Sequence, residues 1–314
     1  MTTPTAIKHC LTDLLRPLPR QIGLIDVGSG GPLKAPWSLI PEDRLAKRDF
    51  DPETTGGGAQ LPVCISDRQG AAKFNIALDP RGSSLHAANA AFIERFAMPS
   101  LGLDRQIDVQ LTTLDAMFLS HADEIDFLDI NVEGHDFQVL NGGAALLDRA
   151  FVKVMKIEFE LADVWRGQGW FSEIDSHLRG RGFEMIEIEI DRLLPAAAQE
   201  FRIGAEPVWG KAIYLPGAAA WERHRAASAP ERFATDCLIA IAGAIAAGSP
   251  GRAIEIARMA EGHPQGGDLS VPTGAQLHTL LRDLYISPSR QAWRRLPLPL
   301  RRALSPLLRF WAAR

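Results

Sequence analysis

Cysteine is scarce in this sequence. Cys10, Cys64 and Cys237 are far apart and form no CxxC pair, which argues against a disulfide framework or a cysteine-based metal site and fits a reducing, cytoplasmic setting. No metal is expected. Long apolar runs are also lacking: the longest, Cys237–Ala247, falls well short of the roughly 20 residues a bilayer span needs. The first turn of chain is broken by Pro4, Asp13, Pro17 and Pro19 and is not expected to act as a secretory leader. A strong net charge is missing too, since the chain carries −4 at neutral pH, and no nucleic-acid partner is expected. Acid is absent from Ile286 to Arg314, where Arg290, Arg294, Arg295, Arg301, Arg302, Arg309 and Arg314 accumulate.

What is present is an alternation of elements. Apolar runs at Ile22–Val27, Arg44–Phe50, Leu61–Ile65, Ile107–Leu111, Ile125–Ile130, Val152–Phe159, Phe183–Ile190 and Lys211–Leu215 predict strands. Lys73–Ile76 reads as a short excursion strand. Helical spacing predicts helices at Ile7–Leu15, Asp136–Leu147 and Phe171–Leu178. This order argues for an α/β fold with a mainly parallel sheet. The last two strands have no clear helix between them and are expected to pair as a hairpin at the sheet edge. After Pro216 the composition shifts to Ala, Arg and Leu, and Glu231–Ala247, Arg252–Ala260 and Ala275–Tyr285 read as helices. We therefore expect one domain over residues 1–217 and a helical C-terminal region over 218–314.

The stretch Leu24–Trp37, LIDVGSGGPLKAPW, sets an acid and then glycines at the end of the first strand. Glycines there let a ligand approach the backbone closely, and ligands of open parallel sheets sit at the carboxyl ends of strands. Asp26, Gly28, Ser29 and Gly30 are thus candidates for ligand contact, unless the stretch is only a tight connection. A dinucleotide fingerprint would need a third glycine where Leu33 stands, which weakens a nicotinamide oxidoreductase reading. Asp51, in FDP after the second strand, suits a ribose in either case. A second acid-rich place is FLDINVEGHDF, where Asp126, Asp129, Asn131 and Glu133 crowd one strand. Such groups need water, a cation or a ligand donor, or form a solvated strand end with Glu133 opening a helix.

FLDINVEGHDFQVLNGGAALL followed by KIEFE resembles the hallmark of the FkbM-type methyltransferase family. IDVGSG, FDP, ISDRQG and TLD occur in the family's order, so the likeness spans roughly Ile22–Glu160. The resemblance implies a Rossmann-like, class I methyltransferase-like α/β sheet with an antiparallel edge strand, and S-adenosyl-L-methionine as cofactor. It implies O-methylation of a sugar, glycolipid or related small-molecule hydroxyl. Carried onto this chain, Asp26, Gly28 and Gly30, with Ser29 between them, face the methionine part of the cofactor. Asp51 accepts both ribose hydroxyls, and Ser66 and Asp67 lie near adenine. Two positions depart from the family: Asn131 replaces the acid of D-V-E-G, and Asp129 replaces a lysine. Asn131 can hydrogen-bond but cannot act as a base, which keeps a non-catalytic binding module in view as the alternative.

Methyl transfer from a sulfonium needs an aligned nucleophile and, for a hydroxyl, a base. Glu133 and His135 are the candidates for that base, with Asn131 beside them. Glu158 and Glu160 share one strand face and, with Trp165, are candidates for binding a small-molecule or glycan acceptor. The basic, aromatic C-terminal segment reads either as a helix packed on its own domain or as a peripheral membrane contact.

Overall fold

The computed structural model describes residues 4–28, 31–52, 60–61, 63–261 and 270–285, side chains at 60, 61 and 283 excepted. Ten strands run in chain order: β1 Ile22–Val27, β2 Leu45–Phe50, β3 Gln60–Leu61, β4 Cys64–Ile65, β5 Gly70–Ala77, β6 Leu103–Thr112, β7 Phe127–Ile130, β8 Val154–Glu160, β9 Phe183–Leu193 and β10 Glu206–Pro216. The helices are α1 Pro4–Leu15, α2 Ala90–Phe96, α3 Leu114–Phe118, α4 Asp136–Asn141, α5 Ala144–Arg149, α6 Phe171–Gly180, α7 Ala218–Ala227, α8 Pro230–Ala246, α9 Pro250–Ala260 and α10 Gly274–Tyr285.

Seven strands form one sheet in the order β3-β2-β1-β7-β8-β10-β9. The pairs among β3, β2, β1, β7 and β8 are parallel, and β10 runs antiparallel to both neighbours. This is the Rossmann-like, mainly parallel sheet of the α/β reading. The expected hairpin closes its margin, and within it the reversed strand is β10, one place in from the outermost β9. Strand order reverses between β1 and β7, so a crevice opens at their carboxyl ends.

The segment after the third expected strand behaves differently from its sequence reading. Leu61–Ile65 divides into β3, which joins the main sheet, and β4, which forms a second sheet in the order β4-β6-β5. Cys64, Phe74, Ile76, Val109 and Leu111 give that small sheet its own core. The predicted helix over Asp136–Leu147 likewise breaks into α4 and α5 at Gly142 and Gly143. The break has a packing cause: a Cβ on Gly142 would collide with the carbonyl of Ser66, and one on Gly143 would press on Leu114.

The two faces of the main sheet are covered by different parts of the chain. One face carries Ile25, Val27, Phe50, Leu128, Ile130, Met155 and Ile157, packed under α3 to α6. The other carries Ile22, Leu24, Phe127 and Val154, packed under α1 and α8. No long helix follows β1, because Pro32, Pro36 and Pro41 interrupt that segment and leave only single 3₁₀ turns. Helix α8 takes the place against the sheet, buried continuously from Phe233 to Ala246. A helix apolar on all sides is one enclosed on all sides; α1 and α9 pack on its outer surface. The expected boundary at Gly217 falls between β10 and α7, and one hydrophobic core continues across it. No helix among the described residues is long and apolar enough to cross a membrane. The basic segment from Ile286 to Arg314 lies outside the described residues.

Gly243 is where α8 comes nearest the sheet. A Cβ there would clash with Val154 and stand 3.0 Å from Phe127 Cε1. Gly243→Ala is therefore expected to destabilise by about 1–3 kcal/mol, as overpacking does, despite alanine's better helix propensity. Denaturant unfolding checks this, and a stabilised variant would refute the close approach.

Candidate active site

A cavity of about 370 Å³ lies at the carboxyl ends of β1, β2 and β7, roofed by the small sheet. Val27 and Gly28 line it from β1, Phe50 and Asp51 from β2, Asn131 to Glu133 from β7, and Val63, Cys64 and Ile65 from the start of the small sheet. A second cavity of about 190 Å³ adjoins it, lined by Arg81, Glu133, Glu158, Glu160, Trp165 and Trp209 among others. Arg81, Glu133 and Glu158 belong to both walls, so the cavities meet at two carboxylates.

The turn after β1 is built for close approach. Gly28 has φ +86°, and a Cβ there would collide with the carbonyl oxygen of Asn131. Asn131 is among the residues lining the same cavity, and its Oδ1 is buried without a hydrogen-bond partner among the described residues. A buried acceptor of this kind awaits a donor. Ser29 and Gly30, the next two expected contacts, lie outside the described residues.

Asp26 is not brought to the cavity. Alternation along β1 turns Val27 one way and Asp26 the other, onto the face that carries α8. There Lys47 Nζ lies 3.1 Å from Asp26 and 2.8 Å from Asp49. Burial, followed by the neighbouring Asp129, pushes the Asp26 carboxyl up to about 6, with Lys47 opposing the shift. Asp129 shares that face: it accepts from the Trp37 indole at 2.6 Å and from Lys156 at 3.1 Å. The family's usual lysine is thus replaced by an acid that anchors the loop after β1. Asp126, expected in the same crowd, lies before β7 and joins a buried ion cluster. Lys153 Nζ reaches Asp126 at 2.8 Å and Asp236 of α8 at 2.9 Å, and Arg20, His224 and Arg232 join them.

Glu133 adopts a left-handed conformation, φ +54°, followed by Gly134 at +85°. This unusual pair directs the chain from β7 into α4 and sets Glu133 between the two cavities. Burial raises its carboxyl pKa well above the usual range, helped by Glu158 and Asp136 and opposed by Lys211 and Lys34. Asp136 is buried behind it and accepts from the backbone N–H groups of Val132 and Gly134, each at 3.2 Å.

His135 lines the larger cavity, but both its ring nitrogens are engaged. Nε2 lies 3.0 Å from Ser66 Oγ and Nδ1 lies 3.0 Å from His86 Nε2. Burial, and then His86, press its pKa down to about 4. It links the end of β4 to the start of α4 and lies outside the lining of the smaller cavity, away from the place expected of a catalytic base. Ser66 is fully buried and donates to Asp67 Oδ1 at 3.1 Å. Neither Ser66 nor Asp67 is among the residues lining the cavity; Cys64 and Ile65 just before them are.

Glu158, Glu160 and Trp165 do come together around the second cavity. The sequence reading missed Lys34, Arg81, Trp209 and Lys211. Trp209 and Lys211 alternate along β10 and pair in register with Glu160 and Glu158; their period-two spacing was the signal available. Among the described residues no group of His, Cys, Asp and Glu side chains is arranged to hold a metal ion.

Comparison with known proteins bears on this site. No curated protein sequence matches the chain. Two solved structures of magnesium protoporphyrin IX methyltransferase (ChlM) from Synechocystis PCC 6803 are distantly similar. The one with bound SAM is 12% identical, with 67% of this chain and 78% of that chain covered and a TM-score of 0.28. The one with bound SAH is 11% identical, with 68% and 83% covered and a TM-score of 0.30. That likeness is too remote to bear on residue roles. Residues 44–185 match the family model described as the methyltransferase FkbM domain, a span that contains both acid-lined cavities' central residues from Asp51 to Trp165. The matched model is that of the family which the motifs resemble.

Proposed function

We propose that the protein is an S-adenosyl-L-methionine-dependent methyltransferase that acts on a hydroxyl of a sugar, glycolipid or related small molecule. The observation that carries this reading is the meeting of two cavities at Glu133 and Glu158, beside the point where the strand order reverses. The larger cavity suits the cofactor. Gly28 leaves room for the backbone to approach it, Asn131 Oδ1 offers an unused acceptor, and Asp51 stands at the end of β2 where a ribose is gripped in such folds. Ile65 and Val63 supply an apolar wall for adenine, with Ser66 and Asp67 behind it. When bound, the cofactor supplies an electrophilic methyl group.

The chain's own task is alignment and proton removal. Glu133 stands at the junction, and burial, by raising its carboxyl pKa, makes its carboxylate form a stronger base. Glu158, Glu160 and Trp165 hold the acceptor. His135 acts as a positioning residue through Ser66.

Calorimetric titration with S-adenosylhomocysteine and with NAD tests the reading: the first should bind and the second should not. Asp51→Ala is expected to weaken S-adenosylhomocysteine binding about 100-fold, equivalent to losing charge-assisted hydrogen bonds to ribose worth about 1.5–3 kcal/mol each. Unaltered affinity would remove the ribose assignment, and binding of neither nucleotide would favour a non-catalytic module.

A further inference from the structure

The second cavity holds more acid than a neutral acceptor would use. Glu158 and Glu160 are only 7% and 2% exposed, and each keeps its Oε2 buried without a hydrogen-bond partner among the described residues. Glu133 completes a wall of three carboxylates. Cations are few. Lys211 Nζ stands 3.6 Å from Glu158 Oε1, beyond good hydrogen-bond length. The Arg81 side chain is 86% exposed and pairs with Asp79 at 2.7 Å. Burial, and then the neighbouring carboxylates Asp136, Glu158 and Glu133, push the Glu160 pKa well up. Three carboxyl groups thus share the nearby charge of Lys211, with Lys34 and Lys156 acting on Glu133 and Glu158 from farther away. Facing it are two indoles, Trp165 and Trp209, and Trp209 lies directly across the strand pair from Glu160.

Carboxylates set against tryptophan faces are the means by which proteins hold ammonium groups, through charge-assisted N–H···O bonds and cation–π attraction. A neutral hydroxyl would fill the two open acceptors, whereas a cation would also favour the ionised form of these buried carboxyls.

We propose that the second cavity binds an ammonium group of the acceptor, so that the molecule methylated is an amine-bearing alcohol such as an amino sugar, with Glu158, Glu160 and Trp209 selecting it. A protonated amine has no lone pair with which to attack a methyl group. The amine is therefore the handle, and a hydroxyl on the same molecule is the nucleophile. This inference rests on the larger cavity being the cofactor's.

The test is calorimetric titration of the full chain, loaded with S-adenosylhomocysteine, with glucosamine, ethanolamine and N-acetylglucosamine. Both amines should bind, and acetylation, which removes the charge, should weaken binding of the sugar at least about tenfold. Glu160→Gln should lower glucosamine affinity by a similar factor while still binding S-adenosylhomocysteine, which reports that the variant folds; Trp209→Leu serves as the second variant. Equal affinity for glucosamine and N-acetylglucosamine, or no heat from either amine up to about 10 mM, a range that covers even weak association, overturns the proposal. Failure of S-adenosylhomocysteine to bind is a separate result that removes the cofactor reading, and the amine titrations repeated without it still decide the charge requirement.

Discussion

Replacing Lys153 with methionine should destabilise the protein by about 3–5 kcal/mol, the usual cost of breaking a buried ion pair from one side. Lys153 is 1% exposed, and its ammonium bridges Asp126 and Asp236, themselves buried. The variant would take the fully buried cation from two carboxylates in the core between the sheet and α8, leaving Asp126 with Arg20 and Asp236 with His224 and the more exposed Arg20 and Arg232. Asp236→Asn in the same chain should return part of the loss, since it removes one of the two buried charges that lost Lys153. Urea unfolding of the two variants measures both effects, and a loss under about 1 kcal/mol, the scale of an exposed pair, would show that the cluster is solvated.

The same cluster predicts an acid limit. Burial alone would raise the Asp236 pKa, but the hydrogen bond from His224 and the charge of Lys153 outweigh it and bring the value to about 2. Because the folded value lies below the ordinary 3.8, the associated stability is fully present above about pH 4 and is lost as pH falls through 2. It amounts to roughly 2 kcal/mol, and the part that Lys153 supplies should be missing from the acid limb of the Lys153→Met variant.

Gly28→Ala should abolish cofactor affinity, by at least about 100-fold for S-adenosylhomocysteine. Two costs combine. A left-handed backbone disfavours any Cβ by about 1 kcal/mol or more, and this Cβ would drive into the Asn131 carbonyl while pressing Val132 Cγ1 at 3.1 Å. Relief requires the ends of β1 and β7 to part, and those ends frame the cavity. Retained affinity in a folded variant would mean that the turn does not grip the cofactor.

Much of this could be read from the residues. The strands of the parallel sheet declare themselves by apolar runs, and the glycines after Val27 mark the crevice. Asp51 and Glu133 stand where the motifs put them. What escaped reading has physical reasons. Period-two alternation fixes that Asp26 and Val27 point apart, but not which face looks onto the cavity. A neutral, doubly bonded His135 and a free imidazole share one letter, and only the nearness of Ser66 and His86 separates them. Trp209 and Lys211 become site residues because β10 lies against β8, a pairing set by tertiary order. The apolar run of α8 announced burial without naming its cover.

That helix also orders events during synthesis. Residues through Trp165 supply the centre of both cavities, yet the face of β7 and β8 behind them stays bare until Phe233–Ala246 has been made. A nascent chain ending near Gly217 presents Leu24, Phe127 and Val154 to the solvent as an open apolar plate. The growing polypeptide carries this apolar face until its late helices arrive, so the layer behind the cavities is completed only after translation has passed well beyond them.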